Sequence, residues 1–573
     1  MGGACSRRCR TRREESDQAS SVQTEAIVPW VPTPVPSTNH NTLQTLLQLT
    51  VSQICSNIHH YASFEDLPQD LSQKIFDELV TSKALSRRYL ALFSEASLVQ
   101  ALLSGYPSVT DEWLRSLGAQ ECLTCLDISN CREVTDDGLL HIANCTGLRS
   151  LSFSRCFRIS DTGLSGLSEL TNLTELSCDG CDEITAIGLM SLSGLTKLEN
   201  LSLEMCSKIN GGLVGIQGAV NLKSLNLGWC NSITDADLKA LQDLGNLNSL
   251  QVCRSKVTNE GIALIKDLSK LESLGIAGCP VTDGCIEDLV GLTSLTSLNV
   301  EWCKFTDAGF KSLASLTSLK HLNAAYTAMT DNSLLTLTSL KNLQTVNLDS
   351  CQMTDAGLEV FADLTDLRSL DLSDTQVANV GIVHLSKLNQ LDNLNLSYTG
   401  VSDNGLMLLS NITSLKSLNL DSRLITDAGL LWISALTGLT HLDLFGAKVS
   451  DSGVAHLKSL KALTSLELCG GGVTDASIPH LTNLTALTSL NLAQNHRISD
   501  ASMPIIASLS ALTCLNLTHS RVTSRGIQHL KQLSSLTSLA LYGCQVSKGA
   551  VEKLQSSCPG LTVIGLNQKD INK

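Results

Sequence analysis

Aromatic residues and long apolar segments are scarce in this sequence. Aromatic side chains make up 3% of the 573 residues, and no run approaches the roughly 18 apolar residues that a membrane-spanning helix needs. The N-terminus lacks the apolar stretch of a secretory signal peptide. Acidic residues outnumber basic ones, and the net charge of −14 argues against nucleic acid as the main partner. We therefore expect neither a transmembrane protein nor a nucleic-acid-binding one.

The sequence also lacks the motifs by which active sites are usually recognised. It contains no P-loop, HExxH or dinucleotide-binding pattern, and its histidines recur in no Ser-His-Asp or Cys-His set. Glycines 470–472 follow a predicted strand but lack the Lys-Ser/Thr of a phosphate-binding loop, so we interpret them as a tight turn. We predict no catalytic, cofactor-binding or metal-binding residues, and we expect that the protein is not an enzyme.

A repeated pattern is what the sequence has in abundance. Residues 343–358 show it most plainly, and variants run from Leu123 to the C-terminal end. The first half of each repeat reads L-x-x-L-x-L, and this alternation predicts a short half-buried strand. The repeats are spaced 24 or 25 residues apart, inside the range of roughly 20–29 residues for leucine-rich repeats. Their second apolar anchors are Leu126, Leu151, Leu176, Leu201, Leu225, Leu250, Leu274, Leu298, Leu322, Val346, Leu370, Leu394, Leu418, Leu442, Leu466, Leu490, Leu515, Leu539 and Ile564.

A small residue follows each predicted strand, and a predicted helix comes after it. Thr or Ser, often followed by Asp as at Thr354 and Asp355, is typical of a helix N-cap with a negative charge in the first turn. The small residue is usually Cys, so we predict buried thiols and neither disulfides nor metal ligands. Cys178 and Cys181 are spaced like a metal or redox pair, but we interpret them as strand-core and column residues. The column cysteines are Cys131, Cys156, Cys181, Cys206, Cys230, Cys279, Cys303, Cys351 and Cys544.

One repeat alone cannot bury its apolar face, but stacked repeats bury it for each other. The predicted fold class is therefore α/β, a leucine-rich-repeat solenoid (horseshoe) with strands on the concave side and short helices on the convex side. We expect a small N-terminal helical module and a disordered N-terminus before it. The predicted domains are a tail and Pro-rich spacer at 1–40, a helical region at 41–120, and the solenoid with its C-terminal cap at 121–573.

The first residues match the N-myristoylation pattern M-G-x-x-x-[ST], with Gly2 as acceptor and Ser6 at the last position. Cys5 and Cys9 are candidates for palmitoylation, and five arginines follow by residue 13. One acyl chain binds membranes only reversibly, whereas a second chain or a basic patch makes the attachment stable. We expect a cytoplasmic protein held peripherally on the cytosolic face of a membrane, with the inner leaflet of the plasma membrane as partner.

Residues 64–79 resemble the opening of an F-box, L-P-x-[DE]-[LI]-x-x-x-I-[FL]-x-x-L. F-boxes are small helical modules that dock on the Skp-type adaptor of cullin–RING ubiquitin ligases. The other interpretation is a helical cap that seals the first repeat, because Pro is well tolerated in the first turn of a helix. The resemblance implies that the adaptor would be contacted by Leu67, Pro68, Leu71, Ile75, Phe76 and Leu79.

Residues 64–566 together resemble F-box/leucine-rich-repeat proteins of the cysteine-containing subtype. The most similar group is a plant one, with a Met-Gly-Gly-Ala-Cys-Ser start and repeats reading Ile-Thr-Asp-x-Gly-Leu. The resemblance implies a substrate-recognition subunit of an SCF-type (cullin–RING) ubiquitin ligase, acting in ubiquitin-dependent protein catabolism, with a protein target on the repeats and a Skp-type adaptor and cullin as partners. The alternative is a membrane-anchored scaffold in cytosolic signalling with no ubiquitin role.

Large residues interrupt the polar face that the strands are predicted to present. They stand just before the Cys/Thr position, with Phe445 and Glu301 at neighbouring positions. Trp, Tyr and Arg are the usual anchors of protein interfaces, so this column predicts a partner-binding site. The other interpretation is a structural ladder, in which the rings pack on one another over the turns. The column residues are Arg155, Met205, Trp229, Arg254, Trp302, Tyr326 and Tyr398.

Overall fold

The structure is a computed structural model that describes residues 45–558 and 560–565. The predicted lipidation residues Gly2, Cys5 and Cys9 and the Pro-rich spacer lie outside the described residues. Within these ranges no helix is both long and apolar enough to span a bilayer. The chain divides into two compact units. The first contains the described residues up to Lys208 together with Gly215–Leu225, and the second contains Ile209–Val214 and the residues from Asn226 onward.

The first unit begins with helices and continues with repeats. Its α-helices are α1 (Leu46–Ser56), α2 (Gln69–Thr81), α3 (Arg87–Leu90), α4 (Asp111–Leu117), α5 (Asp136–Ile142), α6 (Asp161–Ser165) and α7 (Ala186–Met190). Its 3-10 helices are Ile58–His60, Ala91–Phe93, Gly166–Glu169 and Ser191–Gly194. Its strands are β1 (Gln100–Leu102), β2 (Cys125–Asp127), β3 (Ser150–Ser152), β4 (Glu175–Ser177) and β5 (Asn200–Ser202), each parallel to the next.

The N-terminal helices pack around phenylalanine side chains. Phe93 makes edge contacts with Phe64 and Phe76, with ring centroids 5.0 and 5.4 Å apart. Helix α2 then covers the free edge of the first strand. The Gln73 side chain accepts from the N–H groups of Val99 and Gln100 at 3.0 and 3.1 Å and donates to the Gln100 carbonyl at 2.9 Å. An open strand edge is thereby hydrogen-bonded without a further strand.

Strand β1 lies within residues 41–120, which the sequence pattern predicts as a helical region without identifying a strand. Ala101 pairs with Leu126 in the register of β1 and β2, and Leu98, Ala101 and Leu103 are all fully buried. This segment is an L-x-x-L-x-L pattern with Ala at the second anchor, and Tyr106 takes the position of the column cysteine. The alanine concealed the first repeat from a search for leucines.

The second unit repeats the same coil. Strand β6 (Ser224–Asn226) includes the residues at which the units divide, and the 3-10 helix Gly212–Ile216 also includes residues of both. The following strands are β7 (Ser249–Gln251), β8 (Ser273–Gly275), β9 (Ser297–Asn299), β10 (His321–Asn323), β11 (Thr345–Asn347), β12 (Ser369–Asp371), β13 (Asn393–Asn395), β14 (Ser417–Asn419), β15 (His441–Asp443), β16 (Ser465–Glu467), β17 (Ser489–Asn491), β18 (Cys514–Asn516), β19 (Ser538–Ala540) and β20 (Thr562–Ile564).

Short helices alternate with these strands. The α-helices are α8 (Asp235–Leu238), α9 (Asn259–Ile265), α10 (Ile286–Val290), α11 (Asp307–Leu313), α12 (Asp331–Leu334), α13 (Ile382–Leu385), α14 (Asp403–Leu409), α15 (Asp427–Ile433), α16 (Asp451–Val454), α17 (Met503–Ile506) and α18 (Lys548–Gln555). The 3-10 helices are Lys239–Leu241, Asp283–Cys285, Leu335–Ser339, Asp355–Asp363, Ala455–Ser459, Ile478–Asn483, Asp500–Ser502 and Gly526–Gln532. Strands β7 to β20 pair in parallel, so the predicted α/β repeat architecture is confirmed.

The register confirms the predicted anchors with one correction. Leu298 pairs with Leu322, and Leu322 with Val346, and all are buried. At the last pair, however, Leu539 lies opposite Val563 and not opposite Ile564. The backbone hydrogen bonds fix this register, and side chains alternate along a strand. Ile564 is therefore 58% exposed.

Carboxylate bridges join many of the coils to the next coil along the chain. Asp307, at the start of α11, accepts from the N–H of Thr330 at 2.8 Å and from its hydroxyl at 2.6 Å. Thr330 is the N-cap of the following helix. Equivalent bridges join Asp403 to Thr426 and Asp451 to Thr474. The sequence pattern predicts this Asp as a negative charge in the first turn of its helix. The structure shows that it also hydrogen-bonds to the N-cap of the next helix and so joins neighbouring helices.

Candidate protein-binding surface

In most coils the residue just before the Cys/Thr position has a left-handed backbone. We call this set the left-handed column. In the second unit φ is 61° at Trp229, 60° at Trp302, 56° at Tyr326 and 55° at Tyr398. The N–H of Trp302 donates to the Ala325 carbonyl of the next coil at 3.0 Å, so the repeat itself fixes this conformation. Bulky residues rarely adopt it, at a cost of about 1–2 kcal/mol each.

Other coils fill the same column with residues suited to a left-handed backbone. Gly278, Gly446, Gly470 and Gly543 in the second unit have φ between 68° and 77°, and Asp374 has φ of 50°. Gly, Asn and Asp reach this region most easily. Recurring glycines among the aromatic residues were a sequence signal for the conformation, and the sequence interpretation did not use it.

Four of the predicted partner-binding residues lie next to one another in the second unit. The Trp302 and Tyr326 rings stack at 4.1 Å between centroids and 7° between planes. The Arg254 guanidinium lies 5.2 Å from the Trp229 ring and 5.7 Å from the Trp302 ring. We call this group the aromatic ladder: Trp229, Arg254, Trp302 and Tyr326.

Gly278 makes the contact between Arg254 and Trp302 possible. It fills the left-handed column between them, and a Cβ atom there would come within 2.6 Å of Arg254 Cδ. The missing side chain leaves room for the arginine to extend from its own coil toward the next ring. The left-handed column therefore has a slot above Gly278, and the Arg254 guanidinium occupies this slot.

Ring contacts do not cover the aromatic ladder. Trp229 is 52% exposed and Trp302 48% exposed. The molecule thus combines features of both sequence interpretations, since the rings touch one another and still present apolar surface to solvent. Exposed Trp and Arg side chains of this kind can anchor a protein partner.

The remaining predicted partner-binding residues are not members of the aromatic ladder. Tyr398 is in the same column but separated from Tyr326 by Ser350 and Asp374, and it is half-exposed. Phe445 is exposed and lies on the strand face, one position before the left-handed column. Arg155 and Met205 have left-handed backbones in the first unit, with φ of 60° and 62°.

Carboxylates line the strand face beside the left-handed column. Glu301 accepts a hydrogen bond from the Asn323 amide at 3.1 Å, and burial raises the pKa of its carboxyl, although Asn323 and the charge of Arg254 oppose the rise. Burial also raises the pKa of Asp443 to about 7, and the charges of Glu467 and Asp421 add to the effect. Apart from Glu301, these acids were not singled out from the sequence.

The column cysteines are buried, as predicted. The Sγ atoms of Cys303 and Cys351 each lie 3.2 Å from a main-chain carbonyl of the preceding coil, that of Ile276 and that of Ala324. Burial raises the pKa of Cys206 to about 12. Such thiols are poor nucleophiles near neutral pH. Among the described residues no group of His, Cys, Asp or Glu is arranged to hold a metal ion.

The six residues implied to contact an adaptor divide into two sets. Ile75, Phe76 and Leu79 are fully buried in the helical module. Leu67 and Leu71 are half-buried, and Pro68 is exposed at the N-cap of α2. Only Leu67, Pro68 and Leu71 therefore have surface that a partner can reach without rearrangement of the module.

Comparisons with known proteins agree with the repeat pattern. The profile described as "Leucine-rich repeat region" matches residues 216–480, and "Leucine Rich repeat" matches residues 119–143. No curated protein matches the chain significantly.

Several solved structures are similar to this chain at low identity. An internalin from Listeria monocytogenes has 24% identity, covers 64% of this chain and 93% of its own, and has a TM-score of 0.43. A repeat protein from Leptospira interrogans has 18% identity, coverage of 77% and 96%, and a TM-score of 0.39. The ectodomain of the Arabidopsis receptor kinase HAESA, solved with a peptide hormone, has 18% identity, coverage of 79% and 75%, and a TM-score of 0.42.

Proposed function

We propose that this chain, a leucine-rich repeat protein, is a non-enzymatic receptor that binds another protein through the aromatic ladder of its second unit. The observation that carries the proposal is the choice of Trp302 and Tyr326 at left-handed positions where Gly278 shows that glycine fits. Each bulky residue there costs about 1–2 kcal/mol of backbone strain. Strain that persists at a surface position is a sign of function.

Ring contacts recover only part of this cost. A stacked aromatic pair contributes about 0.5–1.5 kcal/mol, and an exposed cation–π contact about 0.5–1 kcal/mol. At about 1–2 kcal/mol each, the strain at the four bulky column residues exceeds the sum of these contacts. Stability of the isolated protein therefore gives little reason to keep half-exposed rings in this column, whereas partner binding gives a direct one.

The substitution Trp302→Gly tests the proposal. It removes the ring and relaxes the backbone, so we expect the free energy of unfolding to change by less than about 1 kcal/mol while partner binding is lost. Proteins captured by the wild-type chain and lost with the variant should be purified and their Kd measured directly. Trp432→Ala, on helix α15, is the matched control and should keep binding. Unchanged binding together with a loss of stability above about 2 kcal/mol would show that the ladder is structural.

As the second step of this function, we propose that the chain delivers its bound partner to an SCF-type ubiquitin ligase. The proposal is supported by the F-box-like pattern at residues 64–79 and by the accessible surface of Leu67, Pro68 and Leu71. Those residues would contact the Skp-type adaptor, while Ile75, Phe76 and Leu79 hold the module together. The competing proposal is a scaffold with no ubiquitin role.

Binding to a purified Skp-type adaptor distinguishes a ligase subunit from a scaffold. We expect the full chain to bind the adaptor and the Leu67→Ala/Pro68→Ala double variant to bind at least about tenfold more weakly, a loss of about 1.4 kcal/mol. Leu46→Ala, at an exposed position of α1, is the control and should bind normally. No binding by the wild-type chain would leave the scaffold as the better account.

We also propose that acylation at Gly2, with Cys5 or Cys9 as a second site, holds the protein on the cytosolic face of the plasma membrane. The N-terminal pattern and its arginines support this proposal. A Gly2→Ala variant should move from the membrane fraction to the soluble fraction of cells. A Gly3→Ala variant keeps the acceptor and should stay on membranes. Equal membrane association of the Gly2→Ala variant and the wild type would refute the proposal.

A further inference from the structure

We infer that the helical side of the second unit binds an anionic lipid surface through exposed apolar side chains. This inference rests on the proposed membrane attachment and adds a second contact to it. The side chains belong to helices α13, α14 and α15 and to the turn before α13, whereas the aromatic ladder lies next to the strands. We call this group the apolar patch: Val380, Val383, Met407, Leu431 and Trp432.

Three side chains of the apolar patch occupy the same repeat position in consecutive coils. Val383, Met407 and Leu431 are spaced 24 residues apart, and each is about half-exposed. Their helices pack side by side, so the three side chains form a stripe across three coils. Val380 and Trp432 are also exposed and widen the stripe. Contiguous exposed apolar surface of this kind marks an interaction site.

The preceding coils show that the repeat does not require an apolar residue at this position. Lys311 and Glu359 are the equivalent residues of two of these coils, and both are exposed. Leu335 occupies the same position in the coil between them. An exposed leucine with charged residues on either side is ordinary, but three apolar residues in succession are a distinct feature of this surface.

The charge around the apolar patch differs from that of the whole chain. The chain has a net charge of −14, but residues 380–461 contain six acidic and six basic residues. Two of the acidic residues, Asp421 and Asp443, belong to the strand side of their coils. The helical side of this segment therefore lacks the excess of negative charge that would repel an anionic membrane.

The carboxylates beside the patch are already hydrogen-bonded within the repeats. Asp403 accepts from the N–H and hydroxyl of Thr426. Asp427 accepts from the same two groups of Ser450. These acidic groups are partly buried in the contacts between coils, so they present little free carboxylate to a surface that covers the patch.

Lysines stand at both ends of the apolar patch. Lys387 follows α13, and Lys458 lies in the 3-10 helix Ala455–Ser459 of the coil after α15. Both are exposed, and neither forms an ion pair within the part of the chain that the structure describes. Basic residues near an anionic leaflet are attracted to its headgroups. The charge at the edges of the patch therefore complements such a leaflet.

The size and composition of the patch favour a lipid surface over a second copy of the chain. Five partly exposed side chains provide less than the roughly 800 Å² per partner that a stable protein complex buries. Trp is enriched where membranes meet water, which suits the exposed Trp432. One acyl chain alone binds a membrane reversibly, so a further contact makes the proposed attachment more stable.

Binding of the purified full chain without acyl groups to lipid vesicles tests the inference. We expect binding to vesicles of equal parts phosphatidylcholine and phosphatidylserine. The Met407→Ser/Leu431→Ser variant should bind at least about tenfold more weakly, because two apolar side chains no longer enter the lipid. Leu335→Ser, at the same repeat position and of similar exposure, is the matched control and should bind normally. The N-terminal arginines are present in every variant and cause no difference between them.

The fluorescence of Trp432 reports on the patch directly. Its emission, taken as the difference between the wild type and Trp432→Phe, should move to shorter wavelength when vesicles are added. Unchanged emission, or equal vesicle binding by the wild type and the double serine variant, would overturn the inference. So would a wild-type molar mass in light scattering that falls to that of the monomer in the double serine variant, because a second copy would then cover the patch.

These outcomes are distinct from those that test the proposed acylation and partner binding. The vesicle assay uses no acyl group, so its failure leaves the attachment through Gly2 standing. Equal urea midpoints of the double serine variant and Leu335→Ser would show that the fold is intact. Partner binding by the aromatic ladder is measured without membranes, where Trp432→Ala remains a valid control.

Discussion

Gly357 illustrates how a single missing methyl group sets the contact between neighbouring coils. A Cβ atom at this position would come within 2.4 Å of Asp331 Oδ1. Asp331 must approach this closely because it accepts hydrogen bonds from Thr354, three residues earlier than the glycine. The recurring Asp-x-Gly of the repeats is therefore a packing requirement between coils and not only a helix start.

The substitution Gly357→Ala should weaken the second unit by about 1–3 kcal/mol, because the added methyl group overpacks the carboxylate bridge. Urea unfolding measures this change. Gly549→Ala is the matched control, since no atom lies within 4 Å of the added Cβ and the residue is helical. That control should be neutral or stabilising by up to about 1 kcal/mol. Equal effects of the two substitutions would contradict this account of the Asp-x-Gly spacing.

Asp443 leads to a second prediction at the residue scale. Burial raises its pKa to about 7, so the ionised form of its carboxyl destabilises the fold. The stability that the neutral form provides is therefore lost as pH rises from about 4 through 7. Asp443→Asn should therefore raise the free energy of unfolding by about 1–4 kcal/mol at pH 8 and change it little at pH 3. Denaturant titrations at the two pH values check this difference, with Asp366→Asn as control.

At the scale of elements, helix α2 covers the edge of strand β1 that does not pair with β2. Gln73 makes three hydrogen bonds to the main chain of Val99 and Gln100. Gln73→Ala leaves those groups without a protein partner and should cost about 1–3 kcal/mol. Hydrogen exchange of the Val99 and Gln100 amides should accelerate with it. Gln53→Ala, at an exposed position of α1, should change neither quantity. Slow exchange at both amides in the Gln73 variant would show that another group covers the edge.

The elements also show what the sequence could and could not reveal. Leucine spacing was sufficient to predict strands such as β9 and β10, because each anchor pairs with its equivalent in the next coil. It missed β1, where Ala101 replaces leucine, and shifted the last anchor by one residue, since only the backbone hydrogen bonds distinguish Val563 from Ile564. The leucine spacing thus fails at β1 and β20, the first and last described strands, each of which pairs with a strand on one side only.

The candidate surface was predictable as a column but not as an arrangement. Trp302 and Tyr326 were singled out because rings are rare in this sequence. Their left-handed backbone, the slot occupied by Arg254 and the role of Gly278 depend on contacts between coils. The glycines and Asp374 of the same column were the available signal, because these residue types mark left-handed positions.

For the molecule as a whole, the carboxylate bridges predict weakening in acid. Partial burial raises the pKa values of Asp307 and Asp427, but hydrogen bonds to their carboxylates outweigh it. Thr330 and Ser333 donate to Asp307, and the pKa of Asp307 is lowered. Ser450 and Ser452 lower the pKa of Asp427 in the same way. A lowered carboxyl pKa gives stability that is complete above pH 4 and lost as pH falls through the folded pKa. The urea midpoint should therefore drop below pH 4, and an unchanged midpoint at pH 2.5 would argue against stabilising bridges.

The left-handed column separates the residues that recognise a partner from those that build the core. A glycine in this column satisfies the backbone of any coil, and the buried leucines need nothing from the side chain placed there. Gene copies of such an array can consequently exchange column residues one at a time while every coil still folds. A new binding specificity then arises when exposed residues of the column are substituted and the core of the repeats stays unchanged.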